Sequence, residues 1–77
     1  MRNELKNLVY QIIKNSNSIT KKEIKNQVYD FAVKNGILTK DFFVAFGDIG
    51  WVFQTLRQKD ELVEVEKIGN RHFWYAK

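Results

Sequence analysis

Trp51, Gln54, Thr55, Arg57 and Gln58 fall within eight residues, and their spacing suits one side of a helix. Glutamine offers an acceptor and a donor side by side, and arginine a planar fork of donors. On a helix lying in a DNA major groove, a glutamine amide matches the N6/N7 edge of adenine. A guanidinium matches the O6/N7 edge of guanine. A second group is cationic or small and polar: Thr20, Lys21, Lys22 and Lys25 in one run, Lys67, Asn70 and Arg71 in another. Such side chains suit phosphate oxygens, which set register and affinity without reading sequence. Both groups also fit an ordinary solvated surface. Lys21 and Lys22 sit where a helix would begin, opposing its dipole, and a bound anion there would relieve the penalty.

Other chemistry is thinly represented. The chain has one His and no Cys, so a metal site is not expected and a thiolate site is impossible. Ser16 and Ser18 have no base nearby in sequence. Glu64 and Glu66 share one strand face, where alternating glutamates are far more often solvent-facing than catalytic. Gly36, Gly47, Gly50 and Gly69 are scattered and form no phosphate loop. No catalytic residue, cofactor or small-molecule substrate is expected, and the chain reads as a non-enzyme.

The elements that must carry these residues fit one domain, residues 1–77. Hydrophobic residues make up 44% and aromatics 14%, enough for a core and too much for disorder. The net charge is +4, but unevenly spread. Residues 1–40 hold eight basic and three acidic side chains, and residues 41–77 five and six. Lys, Asn and Ile total 24, and since their codons are A/T-rich, genome composition is the plain alternative to a functional reading of the lysine excess. The charged start lacks the apolar core of a signal peptide, and no apolar run approaches a membrane span. The expected location is the cytoplasm.

Leu5, Leu8, Val9, Ile12 and Ile13 predict a helix over about residues 3–15. After the polar cluster 15–18, Ile19 is placed to pair as a very short strand. Thr20-Lys21-Lys22-Glu23 has the form of a capping box and predicts a helix over about 21–35, with Gly36 as its left-handed stop. Its core face is Ile24, Val28, Phe31 and Ala32. Thr39 caps a short helix bearing Phe42, Phe43 and Phe46, although 42–46 also fits a buried strand. Asp48 caps a further helix over about 49–60, with Ile49, Val52, Phe53 and Leu56 inward. Trp51 lies opposite that stripe. We expect the hairpin or residues 42–46 to cover it; left exposed, it would stack on a base or mark an interface.

The period then changes to alternation in Leu62-Val63-Glu64-Val65-Glu66, and Arg71-His72-Phe73-Trp74-Tyr75 is rich in strand formers. Ile68-Gly69-Asn70 supplies the turn of a hairpin. A two-residue turn pairs Val65 with Trp74, and a three-residue turn pairs Val65 with Phe73. The second is preferred, since it puts Val63, Val65, Phe73 and Tyr75 on the core face and turns Glu64, Glu66, His72 and Trp74 outward.

This order is α+β: three main helices, an extra short one near 40–46, and a C-terminal two-stranded wing. It resembles winged helix-turn-helix DNA-binding domains over nearly the whole chain. The resemblance lies in Ile19-Thr20-Lys21-Lys22-Glu23-Ile24, in Leu56-Arg57-Gln58 leading to Leu62-Val63, and in Gly69-Asn70-Arg71-His72-Phe73-Trp74-Tyr75. Ile49-Gly50-Trp51 followed by Leu56 is similar to the winged helices attached to Mrr-type restriction endonucleases. The chain departs from the pattern at Asp60-Glu61, where a glycine is common, and in a long connection between its second and third main helices.

The resemblance implies double-stranded DNA binding. Residues 49–60 would enter the major groove, with Thr20, Lys21, Lys22, Lys25, Lys67, Asn70 and Arg71 on phosphates. The implied role is a transcriptional regulator or an accessory protein of mobile or restriction elements. Asp48, Asp60, Glu61, Glu64 and Glu66 lie beside that helix and on the wing, and would repel a duplex if they faced it. The alternative is a protein-interaction or dimerisation module, with Phe42, Phe43, Phe46 and Trp51 as its contact surface.

Overall fold

The computed structural model describes residues 2–77. Among these, four α-helices precede one antiparallel hairpin, the α+β layout of a winged-helix-like fold. The helices are α1 (Arg2–Lys14), α2 (Lys21–Lys34), α3 (Lys40–Gly47) and α4 (Ile49–Gln54). A π-helical turn, Thr55–Lys59, extends α4, and the hairpin strands are β1 (Val63–Ile68) and β2 (Arg71–Ala76).

Each helix buries the side its spacing dictates. Leu5, Val9 and Ile13 of α1 meet Ile24, Val28 and Ala32 of α2, both sets at four-residue intervals. Ile49, Val52, Phe53 and Leu56 close the core from the α4 side, with Phe42, Ala45, Ile19, Val63 and Trp74. Ala32 takes the inward position in the last turn of α2, and Phe31, expected inside, is 43% exposed. The Thr20 hydroxyl accepts from the Glu23 backbone N–H at 3.3 Å, and Thr39 caps α3 likewise through the Phe42 N–H at 3.2 Å. Gly36 ends α2 at φ +63°, where a side chain would be strained. The helical reading of 40–47 therefore holds over the strand.

Asp48 precedes α4 but makes no side-chain cap, its carboxylate being taken by Arg2. The regular helix predicted to residue 60 gives way to the π turn, in which the Asp60 N–H reaches back to Thr55 O at 2.9 Å. Glu61 then adopts φ +53°, and the Leu62 N–H bonds Leu56 O at 2.9 Å. The glutamate thus holds the left-handed conformation that glycine takes freely.

The preferred hairpin register is corrected. Ile68 pairs with Arg71 around a two-residue Gly69-Asn70 turn, so Val65 faces Trp74 and Val63 faces Ala76. Slipping the pairing by one residue exchanges the faces of a strand. Here the exchange sends the indole of Trp74 inward onto Phe53, with ring centroids 5.0 Å apart. Phe73 and Tyr75 are left half-buried on the other side. Trp74 offers more apolar surface than either, and Gly69 at φ +63° fits the first turn position. Ile19 completes the sheet through reciprocal backbone bonds with Trp74 of 3.0 and 2.7 Å.

No helix among the described residues is long and apolar enough to cross a membrane.

Candidate nucleic-acid interface

The Ile19–Trp74 pairing sets the start of α2 beside the turn end of β2. Between them lies an open cleft of about 650 Å³, lined by Thr20, Lys21, Lys22, Glu23, Asn26, Arg71 and His72. A smaller recess of about 270 Å³ continues from it, lined by Lys21, Arg57, Val65, His72 and Trp74. Residues some fifty positions apart, Lys21, Lys22 and Arg71, thus form one cationic surface. The Lys21 ammonium sits 5.0 Å from the Phe53 ring centroid and 5.2 Å from that of Trp74. Aromatic faces attract a cation, so this lysine has a defined perch at the cleft.

The other expected phosphate contacts separate from this group. Lys25 lines a different groove with Asn26, Tyr29, Asp30 and Phe46. Lys67 and Asn70 are exposed near the hairpin tip and do not line the cleft.

The residues expected to face bases also divide. Gln54 and Gln58 are exposed and joined by a hydrogen bond of 3.3 Å from Gln54 Nε2 to Gln58 Oε1. Thr55 is only 8% exposed, so its expected base-facing role is corrected. On the helical wheel it adjoins Val52 and Leu56, and the apolar stripe is wide enough to take it in. Arg57 turns toward the wing, where its Nε donates to Glu64 Oε1 at 2.8 Å. Trp51 is 37% exposed, not covered by the hairpin or by α3; the Arg2 guanidinium lies 5.5 Å from its ring centroid.

Three of the acids that would oppose a duplex have cationic partners. Asp48 pairs with Arg2 at 2.9 Å, Asp60 with Lys6 at 3.0 Å and Glu64 with Arg57 at 2.8 Å. The Arg2–Asp48 and Arg57–Glu64 pairs are exposed and add little stability, the Lys6–Asp60 pair is half-buried, and all three offset local negative charge. The Val65 backbone N–H and the Arg57 guanidinium hold the Glu64 carboxyl below its ordinary value of 4.5. Glu61 and Glu66 stay exposed.

The aromatic surface expected for a protein partner is dispersed. Phe42 is fully buried, and Phe46 stacks on it, ring centroids 5.5 Å apart, half-buried. Phe43 is 50% exposed, while Trp51 lies under Arg2. A separate apolar cleft of about 300 Å³ opens between Leu5, Leu8, Phe31, Ile37 and Phe42, with Glu4, Asn7 and Gln11 also lining it.

His72, Asn26 and Trp74 were not singled out as cleft residues by the sequence. The available signal was Ile19: pairing it with the strand through Trp74 brings 20–22 beside 71–74. Among the described residues, no group of three or more His, Cys, Asp or Glu side chains is placed to hold a metal. Comparisons with protein-family models, curated proteins and solved structures gave no match.

Proposed function

We propose that this protein binds double-stranded DNA, with α4 and its π turn toward the major groove and the α2–β2 cleft on the phosphate backbone. The observation that carries this reading is the convergence of Lys21, Lys22 and Arg71 on one cleft, with Lys21 and Arg57 lining the recess next to it. Cations pair with Asp48, Asp60 and Glu64, three of the five acids that would repel a duplex. A cytoplasmic regulator of transcription, or an accessory protein of a mobile or restriction element, suits a domain with this surface.

The test is an NMR titration of labelled protein with a short random-sequence duplex at low and then higher salt. Salt-sensitive shifts in residues 20–22, 54–58 and 71–72 are expected. Lys21→Ala with Lys22→Ala should weaken binding to all sequences and make the logarithmic salt slope shallower by about 2. An unchanged slope would show that the α2 end does not meet phosphate.

The second reading, a protein-interaction module, draws on the apolar cleft beside Phe31. Shifts absent from the duplex titration, together with self-association by sedimentation that Phe31→Ser abolishes, would favour it.

A further inference from the structure

Five side chains of residues 51–58 are candidates to meet base edges, and the structure leaves two of them exposed and engaged only with each other. Thr55 is buried, the Trp51 ring lies under Arg2, and the Arg57 fork is drawn toward the wing by Glu64. Gln54 and Gln58 stand exposed on the same helical side, four residues apart, with their amides joined at 3.3 Å. That bond consumes one N–H of Gln54 and one lone pair of Gln58. Gln54 keeps its carbonyl oxygen and a second N–H, an acceptor and a donor side by side. Adenine alone among the bases presents the complement in the major groove, the N6 amino donor beside the N7 acceptor. Guanine presents two acceptors, which suit the fork of an arginine.

We infer that this face selects duplexes presenting an A·T pair, read by the Gln54 amide while Gln58 fixes its orientation, and that Glu64 withholds Arg57 from guanine. The inference rests on the duplex-binding reading and adds which base pair that binding prefers. Glu64 is equipped for its part. Its carboxylate accepts from the Val65 backbone N–H at 3.0 Å as well as from Arg57, which ties the π turn to β1. Gln58 is a positioning residue, since its amide acts through Gln54.

The experiment is selection from a library of duplexes with a randomised core, followed by anisotropy titrations of the enriched duplex. That duplex is compared with a copy carrying 7-deazaadenine, which lacks the N7 acceptor but leaves the minor groove unchanged. Wild-type protein should enrich an A·T pair and bind the 7-deaza copy about fivefold or more weakly. Gln54→Ala should bind both copies alike, and Gln58→Ala should narrow the difference between them without changing the salt slope. Glu64→Ala, which removes the acceptor and frees Arg57, should enrich a G·C pair that wild type does not. An enriched core insensitive to 7-deazaadenine, or a G·C preference in wild type that Arg57→Ala removes, overturns the inference and leaves duplex binding standing. Retention of no duplex at low salt overturns both.

Discussion

The helices α2 and α4 are both amphipathic and bury comparable apolar sets, yet they are held by different means. In α2 the instructions are local. Thr20 caps the first turn, Gly36 stops the last at φ +63°, and Ile24, Val28 and Ala32 repeat at four-residue intervals. In α4 they are tertiary. Asp48 gives no side-chain cap, the regular helix is six residues long, and its continuation is a π turn leading to a left-handed glutamate. Helices this short are not stable alone, so α4 depends on packing against α1 and on the contact of its Phe53 with Trp74. The helix that carries the lysines is set by its own sequence, whereas the segment that carries the glutamines is held by α1, by β1 and by the Phe53–Trp74 contact. π turns recur at functional sites, where they redirect side chains, and this one brings Arg57 to Glu64.

The sharpest way to break this comparison is Trp74→Ala. Truncating a large buried aromatic costs about 3–5 kcal/mol, a large part of a small domain's total stability of about 5–15 kcal/mol. Urea denaturation should show that loss. Hydrogen exchange should show α4 amides losing protection ahead of those of α2. Equal loss in the two helices would mean that both are held by the same cooperative core.

Capping separates the two helices more finely. Thr20→Ala removes a side-chain bond to the Glu23 N–H and should cost about 1 kcal/mol. Asp48→Ala removes only an exposed pair with Arg2 and should fall within about 0.5 kcal/mol of wild type. Denaturation midpoints of the two variants would reverse this order if Asp48 were the cap that its position suggests.

What the sequence disclosed follows the same division. Elements with local chemistry were legible: α1 from its spacing, α2 from Thr20 and Gly36, and α3 from Thr39. So was the existence of a hairpin. What escaped was settled between distant segments. The hairpin register depended on Trp74 finding Phe53, and the burial of Phe42 over Phe31 depended on how α3 closes over α1 and α2. At the candidate site, residue type alone points to Lys21, Lys22 and Arg71. Their meeting with His72 required the Ile19–Trp74 pairing, and the engagement of Arg57 by Glu64 required the π turn.

Glu61 tests whether the end of the α4 segment is strained. An L-residue at φ +53° is disfavoured by about 1–2 kcal/mol, a penalty glycine avoids at some cost in chain entropy. Glu61→Gly should therefore raise stability by about 1 kcal/mol, read as a higher denaturation midpoint with an unchanged slope. A loss would show that the glutamate side chain contributes contacts outweighing its backbone conformation.

The smallest effect is the titration of Glu64, which reports on the π turn directly. The Val65 N–H is the larger cause of its depressed pKa and Arg57 the next. A carboxyl whose folded-state value lies below its unfolded one contributes stability that is present above the unfolded value, near 4.5, and is lost as pH falls through the folded value. The Arg57–Glu64 contact should thus be intact at neutral pH and release only in acid below the ordinary glutamate range. Carbon-detected NMR of the side-chain carboxyl should place its midpoint under that range. Arg57→Ala should raise the midpoint only part of the way back, since the Val65 N–H remains. A full return would assign the whole depression to the guanidinium, and no movement would mean that Arg57 does not hold this contact in solution and is free to face DNA.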